Sequence, residues 1–371
     1  MKHPPPPALR HLEERLRALE ADGLLRTRPR PVADVALTFC SNDYLGLGAE
    51  LAPAAPTGAG GSRLIVGERV EHLELERGLA GWLQTSAALV FSSGYAANLG
   101  SIAALAEPGD LIVSDELNHA SIIDGCRLSR ARIEVVKHLD LDAVARALQV
   151  PSAGRRWVVT ESYFSMDGDT PDLAALRRLC DEAGAGLIVD EAHAVGVFGP
   201  AGRGLCAERG VAPDVFVGAL GKAFGAAGAF VAGSEALVAW LWNRARSFVF
   251  STGISPATAE AARRSLRTIE ADERRRRRLH ENAGRLREGL AQIGLSPGGH
   301  GPIIPVVVGD PRKAVEAAAE LRGAGIHVQA VRPPTVPAGT ARLRVTTTAA
   351  HSPEDIDHAL HAFARVFPCR A

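Results

Sequence analysis

One lysine, in the run Ala219-Leu-Gly-Lys222-Ala-Phe-Gly225, is placed for covalent chemistry. The chain has 38 arginines and four lysines, so a lysine among glycine and small apolar residues suggests a task that arginine cannot perform. A lysine amine can lose its proton and form a Schiff base with a carbonyl carbon, whereas a guanidinium stays protonated. Taken alone, Lys222 could also be an ordinary exposed turn residue, because a single motif is weak information.

An apolar segment is followed by an acid, 32 positions before this lysine, and then by a histidine. The segment 185–189 has the length and composition of a buried parallel strand, and Asp190 and His193 come directly after it. Ligands of open α/β sheets bind beyond the carboxyl ends of the strands. There a carboxylate can keep a ring nitrogen protonated, and an imidazole can hydrogen-bond a ring oxygen. A helix N-cap role for Asp190 explains that residue alone equally well.

Two earlier strand ends offer a phosphate site and a flat ring. After the apolar stretch 89–91, the residues Ser-Ser-Gly94 begin a helix of small residues, whose free N–H groups and dipole favour an anion. After the apolar stretch 111–113, His119 could stack on a planar ligand, although a lone histidine more often only starts a helix. With Asp190, His193 and Lys222, these residues supply what pyridoxal 5′-phosphate (PLP) requires of a protein.

Seven short motifs carry a resemblance to a known family. In chain order they are SNDYLGLG (41–48), GAGGSRL (58–64), FSSGYAAN (91–98), LNHAS (117–121), TESYFSMDGD (160–169), DEAHAVGVFG (190–199) and GKAFG (221–225). With them the chain resembles the α-oxoamine synthases, PLP enzymes of the aspartate-aminotransferase fold, over about residues 9–366. The C-terminal run 331–346 resembles members that condense L-alanine with a pimeloyl thioester.

The resemblance implies a role for each matching residue. Lys222 would form the Schiff base and act as general base, Asp190 would pair with the pyridinium nitrogen, and His193 would contact the ring hydroxyl. The remaining implied roles are stacking for His119, phosphate binding for Gly94 and Tyr95, a cofactor contact for Ser165, a carboxylate grip for Arg344, and substrate contacts for Arg26 and Thr346. Ser251 and Thr252 match a segment that reaches the phosphate of a partner subunit, which implies a homodimer.

Two departures from the family pattern concern the cofactor and the entry to the site. Ala219 stands where relatives place a serine or threonine hydroxyl against the phosphate. Its absence should weaken cofactor binding, since a hydrogen bond to a charged group is worth roughly 1.5–3 kcal/mol. The stretch 49–57 is short and interrupted by prolines where relatives have a helix, so substrate entry there should differ.

The hydrophobic patterns predict an α/β fold with a large, mostly parallel, doubly wound sheet and a smaller α+β C-terminal domain. Predicted domains are an N-terminal arm and helix at 1–49, a large PLP-binding domain at 50–254 and a small domain at 255–371. Strands are expected near 87–91, 111–114, 133–136, 156–161, 186–190, 214–218 and 228–232, and then near 303–308, 326–330 and 342–347. Helical periodicity predominates at 234–293, and helices are expected near 311–323 and 353–366.

Composition points to a cytoplasmic enzyme. Acidic and basic residues number 42 each, which gives no electrostatic reason to expect nucleic acid or a membrane as partner. Five cysteines without ligand spacing predict reduced thiols and no metal site. No apolar run approaches the ~20 residues that span a bilayer. Arginines 274–278 could bind a phosphate-rich carrier, but a solvated helix face explains them more simply.

Several alternatives remain open at the level of sequence. The chain could use glycine or serine with another acyl-CoA, and its own thioester could be carried by CoA or by acyl carrier protein. A non-catalytic paralogue acting as partner subunit is a second possibility, supported by Ala219. A dinucleotide-binding protein using Gly58, Gly60 and Gly61 is a third, but no strand clearly precedes those glycines.

Overall fold

The structure, a computed structural model, describes residues 17–24, 37–47 and 56–368. The predicted substrate residue Arg26 and residues 49–55 of the shortened segment lie outside these ranges. The described residues form two compact units, one of 42–281 with 348–350, and one that contains the described parts of 1–41, 282–347 and 351–371. Residues 255–281, which the sequence analysis assigned to the small domain, cluster with the first of these units.

The larger unit contains a seven-stranded sheet. Its strands are β2 (Ala87–Phe91), β3 (Leu111–Asp115), β4 (Arg132–Val136), β5 (Arg156–Glu161), β6 (Gly186–Asp190), β7 (Val215–Ala219) and β8 (Ala229–Gly233). All neighbours are parallel except β8, which runs antiparallel to both β2 and β7. The inner strands β3 and β7 are buried throughout, since a parallel sheet is covered on both faces, whereas the edge strand β4 is mostly accessible to solvent. The order of the strands across the sheet is β2-β8-β7-β6-β5-β3-β4.

Helices connect and cover this sheet. Many begin at a side chain that accepts a hydrogen bond from the first turn, as Ser93, Asp140, Asp172 and Ser234 do. The α-helices of this unit are Val70–Leu83, Gly94–Leu105, Ala120–Ser129, Leu141–Leu148, Leu173–Ala183, Leu205–Glu208, Glu235–Arg244, Arg246–Val249 and Pro256–Ala271, and a helix at Glu273–Gln292 continues into the second unit. The same unit also contains a π-helix at Arg63–Gly67 and a 3₁₀ turn at Pro200–Gly202.

The smaller unit is built on a three-stranded antiparallel sheet. Its core contains Phe39, Leu343 and Phe363, all fully buried. The strands are β1 (Leu37–Thr38), β9 (Ile303–Gly309), β10 (Ile326–His327), β11 (Gln329–Val331) and β12 (Ala341–Thr346). The three-stranded sheet has the order β11-β12-β9, and β1 pairs with β10 in parallel. The helices are Pro311–Gly323 and Pro353–Val366.

The predicted mostly parallel α/β sheet is confirmed, and each predicted strand lies within a few residues of an observed one. The predicted strand near 326–330 is two short strands, β10 and β11, that belong to different sheets. Strand β1 and the π-helix were not predicted, because both are too short for a periodic pattern. No helix among the described residues has the length and apolar character needed to cross a membrane.

Candidate active site

A cavity of about 500 Å³ opens where the parallel strands of the large sheet end. Strands β7, β6 and β5 are neighbours, so their last residues, Ala219, Asp190 and Glu161, meet at one edge. The polar side chains that line the cavity are those of Ser92, Ser93, Tyr95, Asn98, His119, Ser121, Glu161, Asp190, His193 and Lys222. The structure therefore brings together six of the residues predicted from sequence: Gly94, Tyr95, His119, Asp190, His193 and Lys222.

Lys222 lies in the tight connection between β7 and β8. The Gly225 amide donates to the Lys222 carbonyl at 2.8 Å, and the Leu220 amide donates to the Gly228 carbonyl at 2.9 Å, which closes the loop. Gly228 has φ +101°, and a Cβ atom there would approach the Phe91 carbonyl oxygen to 2.9 Å. The glycines of this motif thus allow the chain to turn sharply enough to place the lysine in the cavity.

Asp190 is buried and held by two neutral donors. Its Oδ1 accepts the Ala192 amide at 2.8 Å, and its Oδ2 accepts Asn98 Nδ2 at 2.6 Å. The neighbouring Glu191 carboxylate has a different task, since it accepts the amides of Leu205 and Cys206 at 3.0 and 2.5 Å. Both donors are neutral groups, and together they fix the orientation of the Asp190 side chain at the cavity.

His119 caps the helix Ala120–Ser129 and borders the cavity. Its Nδ1 lies 3.2 Å from the Ser121 amide and 2.7 Å from the Ser121 hydroxyl. Burial lowers the pKa of the imidazole; the Asp190 carboxylate opposes this shift and the Lys222 ammonium adds to it. The ring is therefore neutral near pH 7, which suits stacking on a flat ring.

His193 is oriented by a tyrosine from the SNDYLGLG motif. The Tyr44 hydroxyl lies 2.9 Å from His193 Nδ1 and donates to Asn42 Oδ1 at 3.0 Å. Both Tyr44 and His193 are buried. This contact orients the His193 ring at the edge of the cavity.

Glu161 is a second carboxyl group beside Asp190, at the end of β5. The two residues are directly paired in the parallel register of β5 and β6. Burial raises the pKa of the Glu161 carboxyl to about 8; the Asp190 carboxylate adds to the rise and the Lys222 ammonium opposes it. Glu161 is thus mostly a neutral acid at pH 7.

The start of the helix Gly94–Leu105 forms the predicted anion site. Ser93 caps it by accepting the Ala96 amide at 3.1 Å. The amides of Gly94 and Tyr95 are among the first-turn N–H groups of an α-helix, which have no partner within the helix, and both residues line the cavity. The Tyr95 hydroxyl donates to Asp124. An anion at this predicted site would therefore be met by backbone amides.

Other residues predicted from sequence lie elsewhere in the described structure. Ser165 is buried in the turn after β5, where its amide donates to the Glu161 carboxyl, and it is not among the residues that line the cavity. Ser251 and Thr252 are also outside that lining; Thr252 forms a bridge with Ser62. Arg344 and Thr346 belong to the smaller unit, where both are buried on β12, and Thr346 Oγ1 donates to the Ser41 carbonyl at 2.8 Å. The roles assigned to these residues stay predictions.

Sequence reasoning missed four contributors: Tyr44, Asn98, Ser121 and Glu161. Asn98 lies four residues after Gly94, one helical turn away, and this spacing was the available signal. Ser121 and Glu161 stand inside the motifs LNHAS and TESYFSMDGD, where no spacing marks either of them as a site residue. Tyr44 is distant in sequence, so only the folded chain shows its contact.

The residues of the cavity fit PLP. A carboxylate, a lysine amine, a neutral imidazole and a helix N-terminus face one space of suitable size. Two buried acceptors that belong to this cavity, Asn98 Oδ1 and Glu161 Oε1, have no hydrogen-bond partner among the described residues. Such atoms are expected beside a space that a polar ligand fills.

Comparison with known proteins agrees with this site. The model of the aminotransferase class I and II family matches residues 35–363. An 8-amino-7-oxononanoate synthase from Anaeromyxobacter dehalogenans is 45% identical over 383 residues, which cover 97% of this chain and 96% of that protein. A solved serine palmitoyltransferase from S. paucimobilis, with a bound PLP–myriocin aldimine, superimposes with a TM-score of 0.88 at 29% identity and covers 97% of each chain.

A solved 8-amino-7-oxononanoate synthase from Francisella tularensis has a TM-score of 0.75 at 29% identity and covers 90% of this chain and 98% of that one. These neighbours confirm the predicted aspartate-aminotransferase-like fold and PLP as cofactor. The chain belongs to the aminotransferase class I and II family and, within it, to the α-oxoamine synthases.

Proposed function

We propose that this chain is an 8-amino-7-oxononanoate synthase, which condenses L-alanine with a pimeloyl thioester, with loss of carbon dioxide, in biotin synthesis. The observation that carries the proposal is the assembly of Lys222, Asp190 and His119 around one cavity, in a chain 45% identical to such a synthase over nearly its whole length. The proposal keeps the cytoplasmic location expected from the sequence.

Bound PLP supplies an aldehyde for the Lys222 amine and a ring that accepts the electrons released when an amino acid loses its Cα proton. Asp190, held by Ala192 and Asn98, would keep the ring nitrogen protonated, and His193 Nε2 would hydrogen-bond the ring hydroxyl. The Gly94 and Tyr95 amides would hold the phosphate. The neutral ring of His119 would cover one face and exclude water from it.

Lys222 would act twice. Its amine would anchor the cofactor, and as general base it would remove the proton from the substrate Cα atom. Glu161, a neutral acid beside Asp190, adds no second negative charge where electrons accumulate. The overall reaction would join the alanine Cα atom to the thioester carbonyl carbon, with release of the thiol and of carbon dioxide.

The substrate residues are part of the proposal. Arg344 would hold the alanine carboxylate through a bidentate contact, which its planar guanidinium favours. Arg26 and Thr346 would contact the thioester substrate. Either CoA or acyl carrier protein could present the pimeloyl group, and the assay below separates the two carriers.

A homodimer is proposed because Ser251 and Thr252 do not line the cavity of their own chain. Both are accessible to solvent, Thr252 more so than Ser251, and a partner's phosphate site is where the family resemblance places them. A closed two-fold arrangement would then complete both sites. Sedimentation of an active monomer at assay concentration would contradict this part of the proposal.

The direct test is an assay of the purified, PLP-loaded protein with three amino acids and two carriers. L-Alanine, glycine and L-serine are each supplied with pimeloyl-CoA and with the pimeloyl acyl carrier protein, and products are identified by mass. We expect 8-amino-7-oxononanoate from alanine as the main product. A higher kcat/KM with glycine or serine would identify a different α-oxoamine synthase, and no turnover with any pair would favour a partner subunit without catalysis.

A further inference from the structure

Four polar side chains form a continuous hydrogen-bonded chain at the inner wall of the cavity. His119 Nδ1 lies 2.7 Å from Ser121 Oγ, Asn98 Nδ2 lies 3.0 Å from the same oxygen, and Asn98 Nδ2 lies 2.6 Å from Asp190 Oδ2. Asn98 and Ser121 are 1% and 0% exposed, so water does not compete for these bonds. The chain links the imidazole that covers the cofactor site to the carboxylate at its inner end.

The direction of each bond follows from the donors available. The Ser121 backbone amide can only donate, and it points at His119 Nδ1, so this nitrogen must be an acceptor. The Asn98 amide donates one hydrogen to the Asp190 carboxylate and one to Ser121 Oγ. The Ser121 hydroxyl therefore has its own hydrogen free for His119 Nδ1. Neutral His119 must carry its proton on Nε2.

We propose that Asn98 and Ser121 are positioning residues that fix His119 as the Nε2–H tautomer and hold its ring and the Asp190 carboxylate as one unit. The inference rests on the proposed function only in that PLP is the ligand that these two groups contact together. Because a neutral amide secures Asp190, the carboxylate is oriented without losing its charge to a cation.

Protonation of His119 would place an Nδ1–H group against the Ser121 backbone amide, which can only donate. The lowered pKa of this imidazole, caused first by burial, agrees with a ring that stays neutral. Loss of Ser121 Oγ would leave only the longer amide contact of 3.2 Å to select the tautomer. Loss of the Asn98 amide would free Asp190 to rotate about its side-chain bonds, because only the Ala192 amide would remain of the two bonds that hold it.

The first test uses the protein without cofactor. Proton–nitrogen correlation spectra of ¹⁵N-histidine-labelled protein at pH 8 report the tautomer of each neutral ring, and His119→Gln identifies the His119 signals. We expect Nε2–H in the wild type and a mixture of tautomers in Ser121→Ala. Ser114→Ala, which removes another buried serine hydroxyl, should leave the His119 signals unchanged. An Nδ1–H tautomer in the wild type would overturn the proposal.

The second test measures cofactor binding. Asn98→Ala should raise the PLP dissociation constant about tenfold, because a charge-assisted bond that orients Asp190 is lost. Asn282→Ala, which removes a buried amide that donates to the His351 carbonyl, is the control for general destabilisation. Equal binding by Asn98→Ala and the wild type would overturn the link to Asp190. Failure to make product from alanine would refute only the proposed function, because neither test measures turnover.

Discussion

Two clusters of histidine and carboxylate lie at the ends of parallel strands in the same sheet, and they differ in what surrounds the ring. After β3 and β4, His138 lies between two acids, with Nδ1 2.9 Å from Asp115 and Nε2 3.0 Å from Asp169. At the cavity, His119 reaches Asp190 only through Ser121 and Asn98. The first ring is enclosed by negative charge, and the second has one nitrogen free of these contacts.

The pKa values of the two imidazoles move in opposite directions. Burial opposes protonation of His138, but the Asp115 and Asp169 carboxylates outweigh it and raise its pKa to about 10. Burial lowers the pKa of His119. A histidine whose two nitrogens are both bound to acids is a fixed cation that supports the fold. A histidine held by neutral groups keeps a nitrogen for a ligand, and this difference separates structure from chemistry here.

The largest expected effect on catalysis is that of Lys222→Ala, in the cavity that contains His119 and Asp190. Because the lysine is both anchor and base, kcat should fall by about 10²–10⁴-fold or more. Circular dichroism and the apparent Tm without cofactor should stay close to wild type, since Lys222 is not part of a packed core. A variant that keeps a substantial part of the wild-type rate without added amines would show that another residue performs the chemistry.

The next effect contrasts the acids of the two clusters. Asp190→Asn should lower kcat by about 10²–10³-fold with little change in stability, because it removes a charge that acts on the ligand. Asp115→Asn should leave kcat near wild type but destabilise the fold by about 1–3 kcal/mol, since it weakens the bonds of this side chain to the half-buried His138 ring and to the Leu139 amide. Steady-state kinetics and urea unfolding of both variants test the contrast, and an exchange of the two outcomes would contradict it.

A smaller effect concerns the pH dependence of stability. The folded-state pKa of His138 is about 10, above its ordinary value, so its contribution is complete below about pH 6.5 and is lost as pH rises through 10. The stability difference between wild type and His138→Gln should therefore be largest near pH 6 and shrink by pH 10. Urea unfolding at pH 6, 8 and 10 measures it, with exposed His361→Gln as control. A difference that grows with pH would reverse the assignment.

The smallest predicted effect is on cofactor binding, from a substitution that adds a hydroxyl to the cavity. Ala219 is buried at the end of β7 and lines the cavity. Ala219→Thr should tighten PLP binding about tenfold, or ~1.4 kcal/mol, through a new bond to the phosphate. The apparent Tm at fixed PLP should rise accordingly. Titration of cofactor-free protein decides; unchanged binding would mean that another group, such as Thr252 of a partner subunit, already serves the phosphate.

Much of this contrast could be predicted from the sequence, because strand ends are marked by local patterns. The run that ends at Asp190 and the run that ends at Asp115 are continuous apolar segments, and their positions in the fold match the prediction. Lys222 stands out in the sequence because lysine is rare in this chain and glycines flank it, and the structure places it at the cavity. Gly94 was selected because a strand gives way to a helix of small residues there.

The remaining features depend on contacts between segments that sequence patterns do not report. Asn98 bonds Asp190 across 92 positions, and Tyr44 reaches His193 across 149. His138 stands in an unremarkable linker, and only the fold places Asp169 beside it. The neutral state of Glu161 requires its complete burial next to Asp190, which no local pattern can predict.

The most direct test of the central claim is the site of covalent cofactor attachment. The purified protein with PLP is reduced with borohydride, digested and analysed by mass spectrometry, while visible absorbance is followed before and after reduction. The account predicts loss of the visible absorbance band and one modified peptide, with the pyridoxyl group on Lys222. Attachment at Lys137 or Lys313, or no attachment with PLP in excess, would contradict the assignment of this cavity as the active site.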